Sequence, residues 1–272
     1  AAGPAGLPGA PGSILISVDS FGASRNPLVN STAAFQAAVN AAAAGTFGTS
    51  WVLVPNVDVA GGEGYGIYGT VTIPAGVVLF GVDGADGVAS LIYSFVGAGV
   101  AVFQFATGIN RSGIEGLQII GPSGAPSGRA VSFVASQFNY AKNLQIWYHE
   151  IGIDLSDGVT PFSAYNLVEQ CEINLCTSFG IRCYQQANSN TIVGGRIFFT
   201  RNVGNTAVAL GIDSARALSV SGLALEDYNV GLQIGGAPAF SMTGCYFEKG
   251  ATLPLGADFE VLSTFEESPV FE

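Results

Sequence analysis

The chain has 272 residues, 49% of them hydrophobic and only 11% charged, with a formal net charge of −11. That length suits one large domain, and so low a charged fraction requires extensive burial or a surface hidden against other copies of the chain. The nine basic residues are scattered, which argues against a nucleic-acid surface, and no uninterrupted apolar run reaches the roughly 18 residues of a spanning helix, so no membrane insertion is expected.

Residues 1–12 read Ala-Ala-Gly-Pro-Ala-Gly-Leu-Pro-Gly-Ala-Pro-Gly. From Gly3 the Gly-X-Y period runs through three triplets, and Gly12 opens a fourth. Glycine at every third place is what three polyproline-II chains need at a crowded axis. The segment is therefore expected to be collagen-like, and it implies a homotrimer; the alternative is a flexible Pro/Gly linker. Residues 13–272 are expected to form one domain.

Residues 14–22 suggest a first strand. Asn30-Ser31-Thr32 offers an N-cap, and an Ala-rich helix follows over about 33–44, with Phe35, Ala38 and Val39 on one face. Trp51–Pro55, Val71–Pro74 and Val77–Gly81 read as short strands punctuated by Gly and Pro. From residue 114 a six-residue pattern recurs, beginning at Ile114, Ala141, Val168, Ile192, Val220 and Met242. Its fourth positions are spaced by 27, 27, 24, 28 and 22 residues. A second short strand recurs between them, as at Val131–Phe133, Ile153–Leu155 and Ile181–Cys183. Fixed strands in coils of variable length point to a solenoid rather than a propeller. The alternation in twos excludes helical repeats. The fold class is thus all-β: a right-handed parallel β-helix with an N-terminal capping α-helix, expected to be trimeric.

The repeat sets the facing of side chains. Leu117, Leu144, Cys171, Leu223 and Cys245 are expected inward, with Ile119, Ile146, Ile173, Ile197, Leu225 and Phe247. Stacked about 4.8 Å apart, they form apolar columns. Three of the four cysteines (Cys171, Cys183, Cys245) fall on such positions, and the expectation is buried free thiols. Without a CxxC pair, and with His149 the only histidine, no metal site and no cofactor are expected.

Several stretches resemble the opening of pectate-lyase-like β-helices, which is typical of phage tailspikes and related surface-glycan enzymes. They are Ser17-Val-Asp-Ser-Phe-Gly-Ala23, Thr32-Ala-Ala-Phe-Gln-Ala-Ala-Val39, Trp51-Val-Leu-Val-Pro55 and Ile73-Pro-Ala-Gly-Val-Val-Leu-Phe-Gly81. One departure is Ser24-Arg-Asn-Pro27, where the family carries an acidic stretch. The resemblance implies a virion protein facing the host surface. It would bind bacterial cell-surface polysaccharide, with cleavage left open, and associate with other virion proteins. The alternatives are a non-catalytic structural virion protein, such as a fibre shaft or capsid decoration, and a secreted polysaccharide hydrolase or lyase.

Glycoside hydrolysis needs two carboxylates about 5–5.5 Å apart in retaining enzymes, or about 6.5–9.5 Å in inverting ones. Two outward columns are expected: Gln118, Gln145, Glu172, Arg196, Ala224, Tyr246; and Ile120, Trp147, Asn174, Phe198, Glu226, Glu248. On the second strand the outward column is Ser132, Asp154, Arg182, Ala209 and Gln233. Glu226 and Glu248, on adjacent rungs, are the candidate acid/base pair; the alternative is two solvated rim carboxylates. Glu172 beside Arg196, and Asp154 beside Arg182, are candidates for sugar contact or for cross-strand ion pairs. Trp147 is a candidate for stacking on a sugar ring, and Tyr246 for substrate binding. Trp147, Tyr148, His149 and Glu150 are expected to cluster on a loop that either meets sugar or lies in a trimer interface. The motif set of polygalacturonases is absent, as is an Asp-rich Ca²⁺ strand of the pectate-lyase kind. Few carboxylates and outward Ile120, Phe198 and Phe199 favour binding or structure over catalysis.

Overall fold

The structure is a computed structural model that describes residues 15–45, 50–82, 88–133, 135–156, 163–184, 187–200, 206–236, 239–248, 257–261 and 270–271. The Gly-X-Y segment of residues 1–12 lies outside them. Each coil consists of three short strands. In one coil, Tyr140–Lys142 belongs to a first sheet, Gln145–Trp147 to a second and Ile151–Asp154 to a third. Each pairs in parallel with its equivalent one coil later: Ala141 with Val168, Ile146 with Ile173, Ile153 with Ile181. Among the described residues the three sheets hold ten, eight and eight strands, stacked in coil order. This is a parallel β-helix. Val57–Asp58 with Val88–Ala89 is the one antiparallel pair among the described strands.

The six-residue pattern is a corner between two strands, not one strand. Within residues 141–146, Asn143 turns the chain at φ 51°. Ala141 then faces inward from the first sheet and Ile146 from the second, while Leu144 fills the angle between them; all three are fully buried. The third pattern positions are Gly116, Asn143, Gln170, Gly194, Gly222 and Gly244, all at positive φ. Glycine takes that conformation without steric cost. Non-glycine residues hold it at the other two corners: Tyr148, Leu175, Phe199 and Asp227 between second and third sheets, and Phe138, Tyr165, Ser189, Ala217 and Ala239 between third and first. Each costs on the order of 1 kcal/mol. The rung-to-rung backbone bonds oppose that cost, as where Tyr148 N–H donates to the Asn174 carbonyl and Phe199 N–H to that of Glu226.

The expected columns on the second sheet hold in register: Gln145 lies beside Glu172, Trp147 beside Asn174, and Glu226 beside Glu248. Leu144 and Cys171 precede these paired strands on successive rungs, at 0% and 3% exposure. The third-sheet column needs one correction. Gly211, not Ala209, pairs with Arg182 and Gln233, and Ala209 is buried. The strand here is six residues, Val208–Asp213, and the triplet that looks equivalent begins two residues early. Cys171, Cys176 and Cys183 are buried free thiols, whereas Cys245 is only half-buried. Burial pushes the Cys171 and Cys176 thiols up to about 12.

The N-terminal end is closed. The first strand is only Leu15–Ser17, shorter than expected because Val18–Phe21 forms a 3₁₀ turn that Gly22 ends at φ 85°. Asp19 in that turn accepts from the Tyr65 hydroxyl at 2.7 Å and from Arg25 at 2.8 Å, tying the Val-x-Asp stretch to the first coils. Helix α1, Thr32–Ala43, buries Phe35, Ala38, Val39 and Ala42 over the end of the solenoid. Phe35 packs edge-on to Tyr65 at 5.5 Å. Gln36 completes the cap. Its amide donates to the Thr72 carbonyl at 3.0 Å and accepts from Thr72 N–H at 2.8 Å, satisfying the edge strand of the third sheet.

Inside the corner that precedes the first sheet runs a polar ladder. Asn139 N–H donates to Asn166 Oδ1 at 3.0 Å, and Asn166 N–H to Asn190 Oδ1 at 2.9 Å. Ser112 N–H joins it through Asn139 Oδ1 at 3.0 Å. Leu218 and Phe240 take the equivalent places in the next two coils, both buried.

Candidate functional site

The outer face of the second sheet is built from side chains two residues apart on three-residue strands, so every rung presents a pair. Toward the first corner lie Gln118, Gln145, Glu172, Arg196, Ala224 and Tyr246; toward the second lie Ile120, Trp147, Asn174, Phe198, Glu226 and Glu248. Among the described residues two recesses follow this face. A cleft of about 450 Å³ runs over the earlier coils, where Gln118, Gln145 and Glu172 meet the corner residues Asn143 and Gln170 and the first-sheet Glu115. Amides and carboxylates at rung spacing, on a backbone that cannot shift register, make a regular row of donors and acceptors. Such a row suits a hydroxyl-rich polymer lying along the axis.

A smaller hollow of about 80 Å³ lies on the later coils, between Arg196, Phe198, Phe199, Glu226, Asp227 and Glu248. Arg196 stacks over Phe198 at 4.3 Å from the ring centroid. It donates from Nε to Glu226 Oε2 at 2.9 Å. Arg196 thus does not pair with Glu172, its neighbour in register. It turns to the later rung, and the expected Glu172–Arg196 ion pair is replaced by Arg196–Glu226. Phe198, over which the guanidinium lies, is the strand neighbour of Glu226, so this contact places Arg196 beside that carboxylate. Glu248 accepts from the Tyr246 hydroxyl at 2.8 Å. Glu226, Glu248, Arg196 and Tyr246 therefore come together in one place, while Trp147 and Glu172 belong to earlier rungs of the same face.

Asp154 and Arg182 are elsewhere, on the outer face of the third sheet. Asp154 is fully buried and accepts from Arg182 Nε at 3.1 Å and Nη2 at 2.6 Å. Arg129 Nη1 reaches it from the other side at 3.2 Å. The Arg182 guanidinium lies over Phe179 and Tyr184, at 5.8 and 5.9 Å. Gly211 makes room for both rings, since a Cβ there would meet Phe179 at 2.6 Å. With no exposed surface, Asp154 serves as an ion-pair anchor between coils.

The cluster expected on a loop at residues 147–150 is divided by the second corner. Trp147 ends a strand, Tyr148 turns at φ 58°, and His149 points inward, fully buried. Burial pushes the His149 imidazole down to about 4. The cleft residues Glu115, Asn143 and Gln170 escaped the sequence reading because the pattern was taken as a single strand. The recurrence of Gly, Asn and Gln at its third position is the signal that marks the bend.

Among the described residues no group of three His, Cys, Asp or Glu side chains is placed to hold a metal ion. No helix is long and apolar enough to cross a membrane.

Capping helix, three parallel sheets and outer cleft define the class as single-chain parallel β-helix proteins. Solved structures narrow the likeness. The Dettilon tailspike protein superposes with a TM-score of 0.67 at 13% identity, over 87% of this chain and 46% of the tailspike. The pre-mature bacteriophage phi29 gene product 12 gives 0.64 at 18% identity, over 92% and 34%. The catalytic domain of Agl-KA gives 0.62 at 17%, over 99% and 48%. The chain thus spans between about a third and a half of the length of these neighbours. No protein-family profile matches it, and no curated protein does.

Proposed function

We propose that this protein is a virion tailspike or tail-fibre component that binds bacterial cell-surface polysaccharide along the outer face of its second sheet, facing the host. The observation that carries this reading is the cleft of about 450 Å³ lined by Gln118, Asn143, Gln145, Gln170, Glu115 and Glu172. It offers hydrogen-bonding groups at a fixed repeat, with Trp147 half-exposed on the same face. The fold shared with a tailspike protein and with a bacteriophage gene product supports the virion setting. Its assembly as a homotrimer, with residues 1–12 as a collagen-like clamp on the domain of residues 13–272, rests on the Gly-X-Y period. The sedimentation mass of the full chain tests it; a monomer would end that part of the proposal.

Binding is favoured over cleavage because both candidate acids are engaged, Glu226 by Arg196 and Glu248 by Tyr246. Hydrolysis, if it occurs, is assigned to those two carboxylates. Their rungs lie about 4.8 Å apart, closer to the retaining spacing than to the inverting one. Host polysaccharide incubated with the protein gives the decision. Retention that is lost in Trp147→Ala and Gln145→Ala supports the binding face, and unchanged retention in both removes it. Release of reducing ends that vanishes in Glu226→Gln and Glu248→Gln adds catalysis.

A further inference from the structure

We propose that the corner between the third and first sheets is a second glycan site, specific for acidic polysaccharide, separate from the second-sheet cleft and independent of it. The ridge is a ladder of outward residues in the left-handed conformation. Arg111, Phe138, Tyr165, Ser189 and Ala217 follow one another coil by coil, at φ 53°, 60°, 57°, 49° and 51°. Their spacing is fixed by backbone bonds, Phe138 N–H to the Ala164 carbonyl, Tyr165 N–H to that of Asn188 and Ser189 N–H to that of Arg216.

Phe138 and Tyr165 are 42% and 55% exposed and stack face to face, with centroids 4.9 Å apart and planes within 10°. The next rungs carry only Ser189 and Ala217, so the far face of the Tyr165 ring looks onto short side chains. That open face is a seat for the C–H face of a sugar ring, held by dispersion.

Charge selects the ligand. Among the described residues, Arg25, Arg129, Lys142, Arg182 and Arg196 each lie within 4.0 Å of a carboxylate. Arg111 and Arg216 do not, and both are exposed. Arg111 stands on this ridge and Arg216 beside it, next to Ala217 in the column of Asn188, one on each side of the stacked rings, four rungs or about 19 Å apart. The flanking first-sheet column is Gly113, Tyr140, Leu167, Thr191 and Ser219, and the other flank includes Gln137, Ala164 and Asn188. Among the described residues neither column holds a carboxylate, and the nearest one, Glu115, is engaged by the Tyr140 hydroxyl. Two exposed guanidiniums far apart, beside columns whose described residues include no carboxylate, match a polymer whose anionic groups are sparse. Nucleic acid, with a charge every few ångströms, would meet two cations and the repulsion of a −11 chain.

The experiment is native affinity electrophoresis of the full chain in gels containing hyaluronan or deacylated gellan, in which only every second or every fourth sugar carries a carboxylate. Fully methyl-esterified hyaluronan is the uncharged control, and oligothymidylate the nucleic-acid control. Retardation is expected by at least one acidic polymer and by neither control. The double variant Arg111→Ala/Arg216→Ala should weaken it about tenfold, and Tyr165→Ala several-fold, while Trp147→Ala leaves it unchanged. These positions are on the surface, so the variants keep the fold. The proposal is overturned if no acidic polymer retards the chain, if the ester or oligothymidylate retards it equally, or if the ridge variants bind like the parent. Loss on Trp147→Ala with the ridge variants intact would likewise refute the ridge, and leave the second-sheet face standing.

Discussion

The two ends of the solenoid solve one problem differently. At the N-terminal end, α1 seals the stack: Phe35 has no exposed surface, and Gln36 satisfies the open edge at Thr72. Toward the C-terminal end the same inward columns lose cover. The second-sheet column is fully buried at Ile119, Ile146, Ile173, Ile197 and Leu225, and then only half-buried at Phe247, whose ring leans on the 51% exposed Phe259 at 5.1 Å. The difference teaches that in a stack of coils burial is a property of the neighbour, not of the residue. Identical positions are core or surface according to what lies beyond them.

The sharpest way to break this contrast is to truncate one ring at each end. Phe35→Ala should cost about 3–5 kcal/mol, because it hollows a sealed site. Phe247→Ala should cost only about 1 kcal/mol. Urea denaturation of both variants reads the difference, and equal losses would show that the C-terminal end is covered as well as the N-terminal one.

A pH series sharpens the picture for the middle coils. His149 is held neutral by burial at about 4, against about 6.5 when unfolded. The unfolded chain therefore binds this proton first. The stability due to a neutral imidazole is complete above pH 6.5 and is lost as pH falls toward 4, by about 3 kcal/mol in all. His149→Leu should lack that component. The gap between the urea-unfolding free energies of parent and variant should shift by this amount from pH 7 to pH 4; a constant gap would mean that the site is wet. A smaller effect is expected in the asparagine ladder. Asn166→Ala leaves Asn139 N–H without its buried acceptor, a loss of about 2 kcal/mol. Leu218→Ala, at the equivalent place in an apolar coil, loses packing but strands no donor. Hydrogen exchange at the Asn139 amide separates the two, since it should quicken only in Asn166→Ala.

The legible part of the structure was whatever repeats at a constant offset. Parallel pairing carries a residue onto its equivalent one coil later, so the columns from Gln118 to Tyr246 and from Ile120 to Glu248 could be written from the sequence. What escaped was the bend. Asn143 and Gln170 are unremarkable letters whose φ only the fold dictates, so a corner passed for a strand and three sheets for two. The triplet at Val208 misled because the coil lengthens just before it. The asparagine ladder at 139, 166 and 190 keeps the same spacing as the coils, and it went unread because the eye followed apolar residues. Which carboxylate Arg196 would choose depended on the Phe198 ring, a contact no spacing reveals.

The glutamine amide that closes the edge at Thr72 also guards it. A foreign strand seeking to pair at Thr72 would first have to displace Gln36, so this rim resists edge-to-edge association.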